Sequence, residues 1–247
     1  PDPTATTVPA EGATTTVAPT TTAPPTTTTQ PSRRAITPAE PLDLFIAGDS
    51  MMQELGNGLL RIIPADLVDA ELDYRVSTGL SRPDFFDWPQ RLAEVVTQDP
   101  PEASVVFFGT NDNQNLSVDG NILQRGSAEW EAEYRSRVAT VMDLLTQPGG
   151  TLTWVGLPVM RDQTLEQGVQ IMNRVYAEEA AKRPLVTFVD THALFSDANG
   201  QFAEYLPAAD GSSAKMRQGD GIHLSIAGAD RMANAAWATL ASTWNLA

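Results

Sequence analysis

From Pro41 onward the chain alternates short, nearly unbroken apolar runs with longer segments of mixed polarity. The runs are Leu42–Ala47, Leu72–Val76, Val105–Phe108, Leu152–Gly156 and Val186–Val189. Apolar residues recur at helical spacing near 51–63, 86–98, 129–147 and 166–182, and again at 225–243. In the third of these, Tyr134, Val138, Val141, Met142 and Leu145 mark the face that packs inward. A strand that is apolar at almost every position is buried on both faces, and the helices between such strands supply the cover. The pattern predicts an α/β fold, a three-layer α/β/α sandwich around a five-stranded parallel sheet, whose strand order is 2-1-3-4-5 if the sheet is flavodoxin-like. Residues 39–247 form one domain of this kind. The polar stretch Ser196–Gly219 has no clear period and reads as a functional loop.

Residues 1–38 are different in kind. The first thirty contain 13 threonines and 6 prolines, with almost no aliphatic residues. Such a segment buries too little apolar area to offset its ordering entropy, so 1–38 is expected to be a disordered stalk or linker. The formal net charge is −15. Because Asp2 and Glu11 balance Arg33 and Arg34, all of that charge falls on residues 39–247. A domain this acidic repels phosphate backbones and anionic headgroups, so neither nucleic acid nor a membrane surface is expected as a partner. The absence of cysteine excludes disulfides, thiolate zinc sites and a cysteine nucleophile. With only two histidines an all-histidine metal centre is excluded as well, and no cofactor is expected. The chain starts at Pro1, which reads as a processed piece with any signal or anchor upstream. A stalk before a cysteine-free domain suits an exported bacterial protein, tethered on the extracellular or cell-envelope side.

In open parallel sheets, ligands bind beyond the carboxyl ends of the strands. Reactive groups gather there in this sequence. Gly48-Asp49-Ser50 follows the first run, Ser77-Thr78-Gly79 the second, Gly109-Thr110-Asn111-Asp112 the third and Pro158-Val159-Met160-Arg161-Asp162 the fourth. Asp220-Gly221-Ile222-His223 precedes the last helix. A serine hydroxyl needs a base, and histidine is the usual one near neutral pH. Asp220, three residues before His223, can turn its carboxylate to the ring's Nδ1 and leave Nε2 for Ser50, in the chain order Ser, Asp, His. The other reading of the pair is a helix start with Asp220 as cap. Met51 and Met52 follow Ser50, so the Gly-x-Ser-x-Gly elbow of the α/β hydrolases is missing.

These four blocks, Gly48-Asp49-Ser50, Gly79, Gly109-Thr110-Asn111-Asp112 and Asp220-Gly221-Ile222-His223, resemble those of the SGNH, or GDSL-type, hydrolase superfamily over residues 42–240. Met51 departs from the leucine common in that family. The stretch from Ser77 to Trp88 looks like an exported bacterial cell-envelope branch of esterases and O-acyltransferases. The resemblance implies a catalytic triad of Ser50, Asp220 and His223. With the expected strand order, the N–H groups of Ser50 and Gly79 and the amide of Asn111 converge as an oxyanion hole. Gly79 suits the role because a missing Cβ lets substrate approach its backbone. Asp49 and Asp112 read as structural, bonding nearby loop amides, and His192 as a loop or half-buried residue. Arg82, Trp88 and Arg161, with Asp84 and Met160 nearby, are candidates for a substrate groove. Against that stand an Arg82–Asp84 loop ion pair and a core position for Trp88.

The implied function is a serine esterase or O-acyltransferase acting on O-acyl groups, O-acetyl above all, of cell-envelope glycans. Its partners would be an acylated glycan or acyl donor and a membrane-embedded acyltransferase, separate or fused, with the domain itself a monomer. Two other classes remain open: a catalytically silent scaffold or glycan-binding module of an acylation complex, and a lipase or thioesterase of the same superfamily.

Overall fold

The computed structural model describes residues 33–246, apart from Pro148 and Ala209. Five parallel strands, β1 (Leu42–Gly48), β2 (Val68–Tyr74), β3 (Ala103–Phe107), β6 (Thr151–Val155) and β7 (Val186–Val189), lie in the order β2-β1-β3-β6-β7. This is the order expected from the sequence. The two short hairpins β4 (Leu116–Val118) with β5 (Asn121–Leu123) and β8 (Tyr205–Pro207) with β9 (Ser213–Lys215) stand outside the sheet. Helices α1 (Ser50–Ile62) and α5 (Ile226–Trp244) pack together, while α2 (Trp88–Gln98), α3 (Ala128–Thr146) and α4 (Gln163–Ala180) pack side by side as a second layer.

Burial follows strand position. Every residue of β3 and β6 is buried, as are all but Asp43 of β1. Strand β2, at the sheet edge, alternates instead: Asp69 and Glu71 are exposed, with Val68, Ala70 and Leu72 turned inward. This accounts for the strand whose limits differ most from its apolar run, 72–76. An edge strand facing water on one side carries acids within it, so the run marks only its end. Arg75 and Val76 lie beyond the strand and are exposed.

All five helices begin with an acidic or hydroxyl cap. Asp49, Asp87, Ser127, Asp162 and Ser225 each accept a backbone N–H from the first turn. Because Ser225 caps α5, Asp220 is not a helix cap.

Residues 33–38, expected as the end of the stalk, belong to the domain. The Arg34 guanidinium pairs with both oxygens of Glu102, at 2.6 and 2.5 Å, and donates to the carbonyls of Glu40 and Pro41. Arg33 lies over the ring of Trp244, 4.7 Å from its centre. Two arginines with partners waiting outweigh the polar composition that marks this segment as linker. The rest of the expected stalk, residues 1–32, lies outside the described residues.

Candidate active site

Strand β1 delivers the chain to the carboxyl edge of the sheet, and helix α1 starts at once with Ser50. Gly48 makes the close crossing, since a Cβ there would sit 2.2 Å from the Phe107 carbonyl oxygen of β3. Ser50 Oγ lies 2.9 Å from His223 Nε2, and His223 Nδ1 lies 2.6 Å from Asp220 Oδ2. Asp220 Oδ1 accepts the N–H groups of Ile222 and His223 at 2.8 and 3.0 Å. Partial burial opposes ionisation of Asp220, but the hydrogen bonds from the His223 ring and these two N–H groups outweigh it and bring the carboxyl down to about 2. The structure therefore brings together the three residues picked from the sequence, in the order hydroxyl, imidazole, carboxylate. In this geometry a neutral imidazole can take the serine proton while Asp220 holds the ring's orientation.

The expected oxyanion donors sit on neighbouring loops. Asn111 lies in a single 3₁₀ turn after β3, and its Nδ2 donates to the Thr78 carbonyl at 2.9 Å, which ties it to the residue before Gly79. The second N–H of that amide remains available. Among the described residues, the backbone N–H groups of Ser50 and Gly79 have no protein acceptor. Glycine at position 79 has a further reason: its missing Cβ makes room for Asp112, whose Oδ1 lies 2.2 Å from where that Cβ would stand.

Asp49 and Asp112 are fully buried below these loops. Asp49 accepts Met51 N at 2.8 Å and Gly109 N at 3.2 Å, joining the serine loop to the asparagine loop. Asp112 accepts Ser81 N at 2.7 Å and the Tyr134 hydroxyl at 2.9 Å. Burial, with Asp112 nearby, pushes Asp49 up to about 7. Burial also raises Asp112, against the N–H groups of Leu80 and Ser81 and the Tyr134 hydroxyl. These carboxyls fasten loops, as the sequence suggested.

The groove candidates fare differently. Trp88 is buried, with its Nε1 donating to Thr78 Oγ1 at 2.9 Å, so it has no face for a sugar. Arg161 is committed elsewhere: it donates to the Gly219 carbonyl at 2.7 Å, pairs with Glu204 at 3.0 Å and stacks over Phe202. Its stem also fills the space beside Gly221, where a Cβ would lie 2.6 Å from Arg161 Cβ. Arg161 thus braces the turn carrying Asp220. Arg82 makes a two-pronged exposed pair with Asp84, at 2.8 and 2.7 Å. Both border a polar cavity of about 470 Å³ that Ser81, Gln114, Asn115 and Ser117 also line. His192 is half-buried and pairs through Nε2 with Glu166 at 2.6 Å, away from the serine.

One residue important to the site escaped sequence reasoning. Arg217 is fully buried, and among the described residues it has no carboxylate partner. Its Nη1 donates to the Val159 carbonyl at 2.5 Å, and its Nη2 to the Ile222 and Gly221 carbonyls at 2.7 and 3.2 Å. Burial lowers the guanidinium to about 10, so it stays charged near neutral pH. Arg217 locks the turn between Asp220 and His223 to the loop after β6. A lone arginine outside any apolar period gives no signal for this; only its place three residues before Asp220 hints at it.

A sheet of this order, with serine at the start of the first helix and Asp-x-x-His before the last, is the GDSL/SGNH hydrolase fold. Residues 43–239 match DUF459, described as a protein of unknown function, and the chain belongs to that family. No curated protein matches it. Among solved structures it is similar to the catalytic domain of peptidoglycan O-acetyltransferase A from Streptococcus pneumoniae, solved with a methylsulfonyl adduct. The identity is 17%, the TM-score 0.53, and 83% of this chain and 95% of that one are covered. A catalytic mutant of an acetylxylan esterase from Geobacillus stearothermophilus is 19% identical, with a TM-score of 0.52 and coverage of 78% and 90%. A GDSL-like lipase from Bacteroides thetaiotaomicron is 13% identical, with a TM-score of 0.57 and coverage of 81% and 88%. At these identities the likeness is one of fold.

Proposed function

We propose that the protein is a serine esterase or O-acyltransferase that works through an acyl-Ser50 intermediate on O-acyl groups, O-acetyl above all, of cell-envelope glycans. The observation that carries this reading is the unbroken relay from Ser50 Oγ to His223 to Asp220, set beside two backbone N–H groups without protein acceptors. Ser50 Oγ attacks the ester carbonyl and passes its proton to His223 Nε2. The oxyanion that forms draws on the N–H groups of Ser50 and Gly79 and on the Asn111 amide. Collapse expels the alcohol, which takes the proton from His223. Water or a second hydroxyl then attacks the acyl-serine by the same steps in reverse.

The glycan part of the reading has separate support. The cavity beside the oxyanion loops is lined by the hydroxyls of Ser81 and Ser117, the amides of Gln114 and Asn115 and the Arg82–Asp84 ion pair, with Pro83 and Ile122 as its apolar members, a mixture that supports a sugar. The pneumococcal neighbour is described as a peptidoglycan O-acetyltransferase and the Geobacillus one as an acetylxylan esterase. The threonine- and proline-rich first thirty residues support placement outside the cell, within reach of a membrane-side acyl donor.

A fluorophosphonate probe tests the nucleophile directly. It is expected to label the wild-type protein at Ser50, and Ser50→Ala is expected to lose both labelling and p-nitrophenyl acetate turnover while keeping its melting temperature. A wild-type protein that neither takes the probe nor turns over the ester would leave the silent-scaffold reading in its place.

A further inference from the structure

Helix α1 places Glu54 one turn after Ser50, on the same side of the helix. Its Oε1 accepts Gln218 Nε2 at 3.2 Å. Gln218 in turn holds the histidine segment at two points: its backbone N–H donates to the His223 carbonyl at 2.7 Å, and its Nε2 to the Leu224 carbonyl at 3.0 Å. The serine helix and the histidine turn are thus linked through Glu54 as well as through the 2.9 Å contact of Ser50 with His223.

The other oxygen of Glu54 is held by nothing. Oε2 is shielded from solvent and has no hydrogen-bond partner among the described residues. No cation pairs with the side chain there either, since Arg61, the one arginine of α1, is taken by Asp230. Leaving a shielded carboxylate oxygen unpaired costs free energy. If holding Gln218 were the whole role of Glu54, a glutamine would serve with no charge to desolvate. Burial raises the Glu54 carboxyl, and a charged His223 draws it back down. That attraction is mutual, so an ionised Glu54 favours the charged ring. The other charged groups around the ring are Asp220 on Nδ1, Asp49 beneath the serine loop and Arg217 behind the turn. The Asp220 side chain is 42% exposed, so water screens part of its charge; the shielded oxygen of Glu54 is screened less.

We propose that Glu54 is a positioning residue for His223, a second carboxylate whose shielded charge stabilises the imidazolium formed when Ser50 Oγ gives its proton to Nε2. The proposal rests on the acyl-Ser50 reading. Glu54 takes no proton and forms no bond to substrate. Its charge stands in place before the reaction and gains a charged partner only while the ring is protonated. That happens first as the acyl-serine forms, and again as water or a second hydroxyl attacks it. An interaction that strengthens only in the transition state raises kcat and leaves KM alone.

The test compares the wild-type protein with Glu54→Gln and Glu54→Asp in steady-state hydrolysis of p-nitrophenyl acetate. The rate of fluorophosphonate labelling at Ser50 and the melting temperature are measured on the same samples. Glu54→Gln keeps an oxygen for Gln218 and loses the charge. It is expected to lower kcat and the labelling rate about tenfold with KM unchanged. It should still melt at or above the wild-type temperature, because a neutral amide costs less to bury than a carboxylate. Glu54→Asp restores the charge on a shorter stem and is expected to recover part of kcat. A glutamine variant with wild-type kcat, or with a raised KM alone, would overturn the proposal. So would a loss of kcat that comes with a lowered melting temperature and that aspartate does not relieve. In each of these cases wild-type labelling at Ser50 leaves the acyl-Ser50 reading intact. A wild-type protein that takes no probe would overturn both.

Discussion

Replacing Gly79 by alanine tests whether Asp112 is a reason for that glycine. The added Cβ would stand 2.2 Å from Asp112 Oδ1 and 2.8 Å from its Cγ, whereas ordinary contact begins near 3.4 Å. The carboxylate must retreat by about 1.2 Å, the difference between those two distances, or the loop must move as far. Neither is free to do so, because Asp112 is fully buried and holds Ser81 N at 2.7 Å and the Tyr134 hydroxyl at 2.9 Å. A shift of that size breaks at least one of these bonds to a charged group, worth about 1.5–3 kcal/mol. For a domain of this length that lowers the melting temperature by roughly 3–12 °C. The assay is thermal unfolding of Gly79→Ala, Asp112→Ala and the double variant. If Asp112 is the obstacle, the alanine at 79 costs little once Asp112 is gone, and the coupling exceeds about 1 kcal/mol. Equal cost in both backgrounds, or a Gly79→Ala protein that melts like the wild type, would refute the steric argument.

Three further outcomes follow from the site and its surroundings. Asn111→Ala is expected to lower kcat by about 10²–10³, the usual loss for one oxyanion donor, in steady-state ester hydrolysis; a change confined to KM would mean that Asn111 only binds substrate. Arg217→Met leaves the Val159, Gly221 and Ile222 carbonyls without their donor, so kcat should fall by about tenfold or more along with the melting temperature, and Arg217→Lys should restore part of both. Glu179 supplies an acid-stability test. Burial opposes its charge, but Lys182, Arg183 and Arg135 bring its carboxyl down to about 2. An unfolded glutamate binds its proton near about 4.3, so this stabilisation is complete above that pH and is lost as pH falls toward 2. Denaturant melts from pH 5 to pH 2 should show a shallower acid loss in Glu179→Gln, and identical slopes would count against the assignment.

What the sequence made legible divides along physical lines. Strands β3 and β6 are buried throughout, so their apolar runs identify them almost to the residue, whereas β2 mixes acids into its exposed face and shows only its tail. The Ser50–His223–Asp220 relay was readable because Ser50 opens the first helix and Asp220 stands three residues before His223, just ahead of the last. Hairpin β4–β5 left a usable signal in Asp119-Gly120, where positive φ angles of 50° and 81° make the tight turn. The bracing role of Arg161 was hidden because Gly219, Glu204 and Phe202 lie far along the chain, and that of Arg217 because the Val159 carbonyl does. Nothing in a local pattern distinguishes an arginine that binds a ligand from one that braces a turn by holding backbone carbonyls.

The anchoring of Arg34 has a practical consequence. Its partners, Glu102 and the Glu40 and Pro41 carbonyls, border the amino ends of β1 and β3, while Ser50 lies past the carboxyl end of β1. Seven residues of strand separate the two ends by roughly 23 Å. A label or crosslinker attached at Arg33 would therefore sit at the end of the sheet opposite Ser50. A bulky polymer approaching Ser50 from the carboxyl edge of the sheet does not cross that end.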